Sequence, residues 1–392
     1  MRVAHCIHGL GLGGAQEVIR QLVAGRRGDF SHHVYSCEGG AMQGRVEAAG
    51  ARVRLLPRRL RKFDPGWVAR LAQAMREDGA EVVHTHLFGD SLHGYLAARA
   101  AGGLPVVMTL HSELPFYSRL QRAGYRWLLA RTAQAVACGA SVARSFAGWR
   151  TVRPLRIVVN GIAPPPPPPA SPAALARLRA ELGLPPGALA IGTVGRLVEV
   201  KGYRHLLAAL AAALPSLPAS SGLPSARSPA AAVRLVLFGD GPLAPALRAQ
   251  ARAAGIDDLV VFAGFRDDVA RLLPALDVVV FSSVSEGLPM ALLEAMAAAR
   301  CIVATDLPGM VEAVRHGSEA LIVKPAAVAE LRAALVRAAS DPALRARLGQ
   351  AARQRFLAGF TAQRMVASYE SIYRETWRIA RRCGPRAVVP AA

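Results

Sequence analysis

The residues best suited to chemistry in this chain of 392 fall in three short runs of its C-terminal half. In Thr193-Val-Gly-Arg-Leu-Val-Glu-Val-Lys-Gly202 an apolar run ends at Gly195, Arg196 follows at its tip, and Lys201 and Gly202 open the next helical pattern. A guanidinium fork and an ammonium beside a helix N-terminus stabilise the negative charge that gathers on a diphosphate as it leaves. Lysine occurs only at Lys62, Lys201 and Lys324, against 45 arginines, so Lys201 is the more informative of the two cations. Phe238-Gly-Asp-Gly-Pro242 ends a second run in a turn of Gly239, Asp240 and Gly241, a backbone able to approach a flat nucleotide base. In the third run, Ser283 to Met296, a strand ends near Ser283 and Glu286 stays on the loop. Gly287 and Leu288 then lead to Pro289, which fits a first helical turn, and Glu294 lies about one turn in. Glu286 can accept hydrogen bonds from sugar hydroxyls while N–H groups of the helix start face phosphate or sugar oxygens, and Glu294 can reach a ribose diol.

The N-terminal half offers a glycine loop and strand-end histidines. Gly9-Leu-Gly-Leu-Gly-Gly14 follows the first strand, and Gly9, Gly11 and Gly14 satisfy GxGxxG, with Gly13 beside them. The acid that a dinucleotide site places about twenty positions later is not cleanly present, because Glu38 lies too far along. His111 follows the apolar run Val106 to Leu110 and so stands at a strand's carboxyl end, while His84 and His86 end the preceding strand. No carboxylates stand at ligand spacing from them, and the five cysteines are scattered and odd in number. Neither a zinc site nor a disulfide framework is expected.

These residues need a scaffold that brings strand ends together. Strands are expected near Arg2 to Ile7, His32 to Cys37, Arg52 to Leu56, Glu81 to His84, Val106 to Leu110, Ala135 to Cys138 and Arg156 to Val159. A second series follows near Ala190 to Val194, Arg234 to Phe238, Val260 to Phe262, Val278 to Phe281, Ile302 to Ala304 and Ala320 to Val323. Helical patterns fill the gaps, which makes an α/β chain of two doubly wound parallel sheets. Such sheets bind ligands in the crevice at the carboxyl ends of their strands, where the motifs fall. The domains are read as 1–163, a Pro-rich linker at 164–170, 171–364 with a disordered insertion at 214–232, and a C-terminal helix and tail at 365–392 packing back on the first domain. Tyr369, Tyr373 and Trp377, at four-residue spacing in that helix, read as core packing.

Composition narrows the class. At 52% hydrophobic residues the chain is globular, and no apolar stretch approaches the roughly eighteen residues that span a bilayer. It is expected in the cytoplasm. The net charge of +21 points to nucleic acid, an anionic membrane surface or phosphorylated substrates, or reflects a GC-rich coding bias. No nucleic-acid recognition motif is present and aromatic content is 6%, so no nucleic-acid partner is expected. Basic residues cluster at Arg58, Arg59, Arg61 and Lys62, and Tyr117, Arg122, Tyr125 and Trp127 lie in a mixed basic and aromatic stretch; both could touch an acceptor or an anionic membrane.

Taken together, Gly13-Gly14, Val82-Val-His-Thr-His86, Val159-Asn-Gly-Ile162, Val194-Gly-Arg196 with Lys201-Gly202, Phe238 to Pro242, and Glu286 with Glu294 resemble the retaining glycosyltransferases of family 4 over nearly the whole chain. The resemblance implies a GT-B fold, two Rossmann-like domains facing across a cleft. It implies that Arg196 and Lys201 hold the diphosphate of a UDP- or GDP-sugar, Glu294 the ribose, Glu286 and the amides after it the donor sugar, and His111 the sugar near the reaction centre. It implies front-face transfer with retention, without metal or other cofactor. The basic and aromatic clusters, unless they are simply a solvated basic face, point to a saccharide or lipid-linked acceptor in polysaccharide or glycolipid assembly and a peripheral place at the inner face of the plasma membrane. Pro308 replaces a Gly common in the family's Gly-Gly-x-x-Glu, and Ala163 stands where Asp is usual. Two other classes remain open at this point. An NAD-dependent oxidoreductase would use Gly9 to Gly14 but leave Arg196, Lys201, Glu286 and Glu294 without a purpose, and a basic nucleic-acid-binding protein would explain only the charge.

Overall fold

The computed structural model describes residues 1–60, 63–114, 117–165, 171–217 and 233–383. The chain divides into two compact units, one of Met1–Ala163 with Phe360–Ala392 and one of Pro164–Gly359. The return to the first unit thus comes at Phe360, ahead of the 364/365 boundary read from the sequence.

The first unit alternates strand and helix: β1 (Arg2–Gly9), α1 (Gly14–Ala24), β2 (Ser31–Glu38), α2 (Gln43–Ala48), β3 (Arg52–Leu55), α3 (Pro65–Glu77), β4 (Val82–His86), α4 (Phe88–Ala100), β5 (Val106–Leu110), α5 (Arg119–Leu129), β6 (Gln134–Ala137), α6 (Ala140–Ser145) and β7 (Arg156–Ile157). Its strands form one parallel sheet in the order β3-β2-β1-β4-β5-β6-β7. The direction of strand addition reverses between β1 and β4, which opens the crevice beside their carboxyl ends. Period-2 alternation sorts each strand onto two faces. Cys6, Val83, Met108 and Leu110 pack under Trp67, Leu71 and Tyr125 on one face. Val3, Val82, Val107 and Val136 meet Tyr369 and Tyr373 on the other.

The second unit runs α7 (Pro172–Glu181), β8 (Leu189–Val194), α8 (Tyr203–Ala213), β9 (Val233–Phe238), α9 (Ala244–Ala253), β10 (Val260–Gly264), α10 (Val269–Leu272), β11 (Val278–Phe281), α11 (Met290–Ala297), β12 (Cys301–Thr305), α12 (Pro308–Ala313), β13 (Ala320–Val323), α13 (Val328–Ser340) and α14 (Pro342–Gly359). Its parallel sheet has the order β10-β9-β8-β11-β12-β13, the same winding with the switch between β8 and β11. All thirteen expected strands are present. Of the expected insertion at 214–232, Leu214–Ser216 forms a short turn and Leu217 is a core residue, while 218–232 lies outside the described residues. Most of the Pro-rich linker, 166–170, lies outside them as well.

The last helix, α15 (Ala362–Cys383), belongs to the first unit. Its entry is fixed by backbone: Ile162 N–H donates to the Phe360 carbonyl at 3.1 Å and Ala362 N–H to the Ile162 carbonyl at 2.7 Å. Gly161 sits against the Thr361 carbonyl where a Cβ would collide, which explains the glycine of Val159-Asn-Gly-Ile162. Tyr369 and Tyr373 are fully buried, and Trp377 packs at the margin of the same cluster. Cys6, Cys37, Cys138 and Cys301 are buried free thiols, and burial pushes Cys37 and Cys301 up to about 12.

Because the Tyr369 ring fills this interface, Tyr369→Ala is expected to destabilise the first unit by roughly 3–5 kcal/mol. Tyr369→Phe keeps the ring and loses only the hydroxyl's 2.9 Å bond with Thr109 Oγ1, for about 1 kcal/mol. Denaturant titration of both variants checks the difference.

Candidate active site

In the second unit the three sequence runs form neighbouring strand-end loops. The Gly195 N–H donates to the Phe238 carbonyl at 2.9 Å, so β8 and β9 stay paired to their last residues. Gly195 (φ +150°) and Gly239 (φ +141°) then take backbone conformations that side chains disfavour. A Cβ on Gly239 would strike the Gly195 carbonyl, and one on Gly241 the backbone of Leu197. Leu197 N–H donates to the Asp240 carbonyl at 2.9 Å and closes the two loops together. Arg196, between them, is exposed, as is Asp240, whose Oδ1 accepts from Gly241 N–H at 2.7 Å.

Lys201 ends a one-turn 3-10 helix, Glu199–Lys201, and Gly202 is left-handed at φ +64°. A Cβ at Gly202 would collide with the Ser282 carbonyl, so the loop after β8 packs backbone on backbone against the loop after β11. Val284 N–H donates to the Val200 carbonyl at 2.8 Å, and Ser282 Oγ to the Lys201 carbonyl at 3.0 Å. This seam sets the Lys201 ammonium on the Glu286 carboxylate in an ion pair about one-fifth exposed at each partner. Ser283 Oγ donates to the same Glu286 Oε2 at 3.2 Å, and Thr305 Oγ1 anchors the Ser283 carbonyl at 2.7 Å. The Tyr203 hydroxyl lies beside Gly195; burial first, and the Glu286 charge second, raise its pKa and keep it a donor. In the sequence Ser283 marks only the end of a strand, and Thr305 and Tyr203 carry no distinctive spacing, so none of the three is expected there as a support for Glu286.

Pro289 is the N-cap of α11, in extended conformation, and not a residue of its first turn. Met290 therefore begins the helix, and Glu294 is half-buried on it. Gly309 packs directly on the Gly287 backbone, so the glycine that matters in Pro308-Gly309 is the second, and Pro308 starts α12.

In the first unit, Gly13 is the extended N-cap of α1 and Gly14 its first residue, both exposed. Glu38 pairs directly with Gly9 at the end of β2. The long sequence separation concealed this, since α1 and its loop take up the intervening residues. His111 follows β5, half-buried, and is not a lone histidine: its Nε2 lies 3.0 Å from His86 Nδ1. His86 Nε2 lies 3.2 Å from His5 Nδ1, and His5 Nε2 lies 2.8 Å from His32 Nδ1. His84 stacks on this row but spends its nitrogens on the Tyr373 hydroxyl and Thr109 Oγ1, both at 2.7 Å. Ligand atoms of His5, His84 and His86 lie within 4.8 Å of one another, yet those nitrogens are already engaged in hydrogen bonds. Burial is the first cause that lowers all five: His111 to about 4, His32 to about 3, and His5, His84 and His86 well below the usual value.

The basic and aromatic stretches separate on inspection. Tyr125 is fully buried and thus no surface residue, and Tyr117 packs edge-on against it at 4.8 Å. Arg58 is half-buried with its guanidinium 5.4 Å over the Trp67 ring. Arg59, Arg122 and Trp127 are exposed, and Arg61 and Lys62 lie outside the described residues.

The two doubly wound sheets define the GT-B class, and solved structures agree. Anabaena Alr3699/HepE, in complex with UDP, superposes with a TM-score of 0.81 at 22% identity over 96% of this chain and 100% of that one. WaaG, a glycosyltransferase involved in lipopolysaccharide biosynthesis, gives 0.69 at 18% over 95% and 99%. Residues 188–341 match the family described as glycosyl transferases group 1, and residues 12–164 match glycosyltransferase family 4. The 2-deoxystreptamine glucosyltransferase of Streptomyces kanamyceticus is 31% identical over 67% of this chain and 69% of its own. The 2-deoxystreptamine N-acetyl-D-glucosaminyltransferase of Streptomyces fradiae is 31% identical over 76% and 74%. The chain belongs to glycosyltransferase family 4 and is a glycosyltransferase of glycan biosynthesis.

The histidine row makes folding sensitive to acid. Its folded pKa values are depressed, so each ring contributes stability above the unfolded value near 6.5 and loses it as pH falls towards its folded value. Asp90 has the opposite sign: burial pushes its carboxyl up to about 7, and its contribution is lost as pH rises. With five histidines against one aspartate, stability of the first unit is expected to fall by several kcal/mol per pH unit below about pH 6. Denaturant midpoints at pH 7.5, 6 and 5 measure this, and a flat profile would contradict a neutral buried row.

Proposed function

We propose that the enzyme moves a sugar, with retained anomeric configuration, from a UDP- or GDP-linked donor to a saccharide or lipid-linked acceptor in polysaccharide or glycolipid assembly. The observation that carries this reading is the Lys201–Glu286 pair, steadied by Ser283, next to the strand-end loop that bears Arg196. Arg196 and Lys201 take the diphosphate, for which Lys201 exchanges part of its contact with Glu286. Gly239, Asp240 and Gly241 receive the base and Glu294 the ribose. Glu286 accepts from donor-sugar hydroxyls, with the N–H groups of Gly287 and Leu288; Pro289 has no N–H and only directs the chain into α11. Gly13 and Gly14 offer amides at the start of α1, and His111 meets the sugar near the reacting carbon. The acceptor oxygen bonds to the anomeric carbon on the face from which the diphosphate oxygen departs, and the departing phosphate takes the acceptor proton. In this reading the two cations supply the charge stabilisation, and no metal or other cofactor is needed. The complexes of HepE with UDP and with UDP-glucose favour a UDP-sugar, and the Streptomyces relatives, by name, use 2-deoxystreptamine.

For the acceptor side, the outer face of α5 carries Leu120, 81% exposed, and Trp127 among Arg119, Arg122 and Arg126. Leu60 and Phe63 are likewise exposed near Arg59. Apolar residues flanked by arginines suit a peripheral seat on anionic lipid at the inner face of the plasma membrane. No helix of the described residues is long and apolar enough to cross a membrane.

A panel of UDP-, GDP- and ADP-sugars, read by nucleoside diphosphate release, tests the donor. Release is expected with one class, with Lys201→Ala and Glu286→Gln lowering kcat/KM by roughly 10²–10³-fold. Absence of release and of binding with all three would sink the reading. On vesicles, the protein is expected to float with anionic and not with neutral lipid, and Leu120→Glu to reduce flotation; equal flotation on both rejects the membrane seat.

A further inference from the structure

Two consecutive serines follow β11, and each tends one partner of the ion pair in the second unit. Ser282 Oγ donates to the Lys201 carbonyl at 3.0 Å, and Ser283 Oγ donates to Glu286 Oε2 at 3.2 Å. The Lys201 ammonium bonds the same Oε2. Among the described residues, both donors to this carboxylate therefore fall on one oxygen, and Oε1 is left open. Ser283 is itself fixed from behind. Thr305 ends β12, the neighbour of β11, and its Oγ1 donates to the Ser283 carbonyl at 2.7 Å. Ser283 and Thr305 are both buried.

The two donors to Glu286 differ in how they answer a diphosphate. An ammonium is a point charge on a flexible stem, and a phosphate beside it competes with a carboxylate for its protons. The ammonium also has space to move. A Cβ on Gly195 would lie 3.2 Å from Lys201 Cε and 3.4 Å from Nζ, so the head group rests over bare backbone next to Arg196. A serine hydroxyl is neutral, and its single proton is already spent on Oε2, so an anion exerts no comparable pull on it. We propose that Ser283, braced by Thr305, is a positioning residue that keeps Glu286 Oε2 in place when Lys201 turns to the diphosphate, so that Oε1 faces a hydroxyl of the donor sugar.

The competing view is that these hydroxyls only hold the loop in shape. Backbone already does that: Val284 N–H bonds the Val200 carbonyl, Gly202 packs on the Ser282 carbonyl, and Gly309 packs on Gly287. The seam fixes the course of the chain through Glu286 and leaves the torsions of its side chain free. Once the ammonium has moved to phosphate, the Ser283 bond is the restraint that remains on the carboxylate among the described residues. A hydrogen bond to a charged group changes an equilibrium by roughly 10–100-fold, which is enough to decide whether the carboxylate meets the sugar or swings into water.

The inference rests on the reading of Glu286 as a sugar contact. From the panel of UDP-, GDP- and ADP-sugars, the donor that releases nucleoside diphosphate is titrated calorimetrically against the full chain, alongside that nucleoside diphosphate without its sugar. Ser283→Ala is expected to weaken the sugar nucleotide roughly 10-fold or more while the Kd of the bare diphosphate stays within about twofold. In a Glu286→Ala background the same substitution is expected to change neither Kd, because the hydroxyl then has no carboxylate to hold. Thr305→Ser keeps the brace and is expected to match wild type. Thr305→Val has the same shape without the hydroxyl and is expected to weaken the sugar nucleotide alone, by less than Ser283→Ala does. A Ser283→Ala penalty that persists at full size without Glu286, or that falls equally on the bare diphosphate, overturns the proposal, since the hydroxyl would then serve the fold. An unchanged affinity for the sugar nucleotide in Ser283→Ala overturns it as well. Those outcomes leave the glycosyl-donor reading standing, whereas wild-type protein that neither binds nor cleaves any donor of the panel ends both.

Discussion

Backbone packed on backbone at the strand ends of the second sheet is the constraint on which the proposed donor site depends. Gly202 lies on Ser282, Gly239 on Gly195, Gly241 on Leu197, and Gly309 on Gly287. None of these approaches leaves space for a Cβ, and three of the glycines named here also hold positive φ. The loops after β8, β9, β11 and β12 are therefore one welded surface, and the ion pair of Lys201 and Glu286 is a result of that weld. Side chains held by such a seam are positioned before any ligand arrives, which lowers the ordering cost of binding.

The first sheet uses the same winding for a different end. Its face towards α1 and α15 is apolar at Val3, Val82, Val107 and Val136, but carries a diagonal of imidazoles that an aliphatic core would not need. Burying His5, His32, His84 and His86 and half-burying His111 costs stability in acid and is tolerated because ring nitrogens pair with one another, with Thr109 and with Tyr373 of α15, while Tyr369 bonds Thr109 in turn. The last helix, Ala362–Cys383, thus completes both the packing and the polar satisfaction of a sheet whose strands run from Arg2 to Ile157.

Much of this was legible in the sequence for physical reasons. Parallel strands buried on both faces read as short apolar runs, and glycine, lysine and proline mark loops in a chain otherwise rich in alanine and arginine. That made the thirteen strands, the two windings and the motifs of the proposed donor site visible, and it placed Arg196, Lys201 and Glu286 on strand-end loops and Glu294 in the helix that follows. Tyr125 was misplaced on the surface because a helix of mixed arginines and aromatics does not say which of its faces packs inward. Glu38 was set too far from Gly9 because sequence distance ignores the helix that intervenes before β2 returns.

The sequence by itself determined the local elements, the loops that need glycine and the charges the loops carry, since those depend on neighbours within a few residues. Only the tertiary structure decided that Lys201 pairs with Glu286, that Gly309 rather than Pro308 packs on the Gly287 backbone, and that His111 ends a row reaching His32. Those facts depend on which strands lie side by side and in what register, and register is fixed by the packing of the whole sheet.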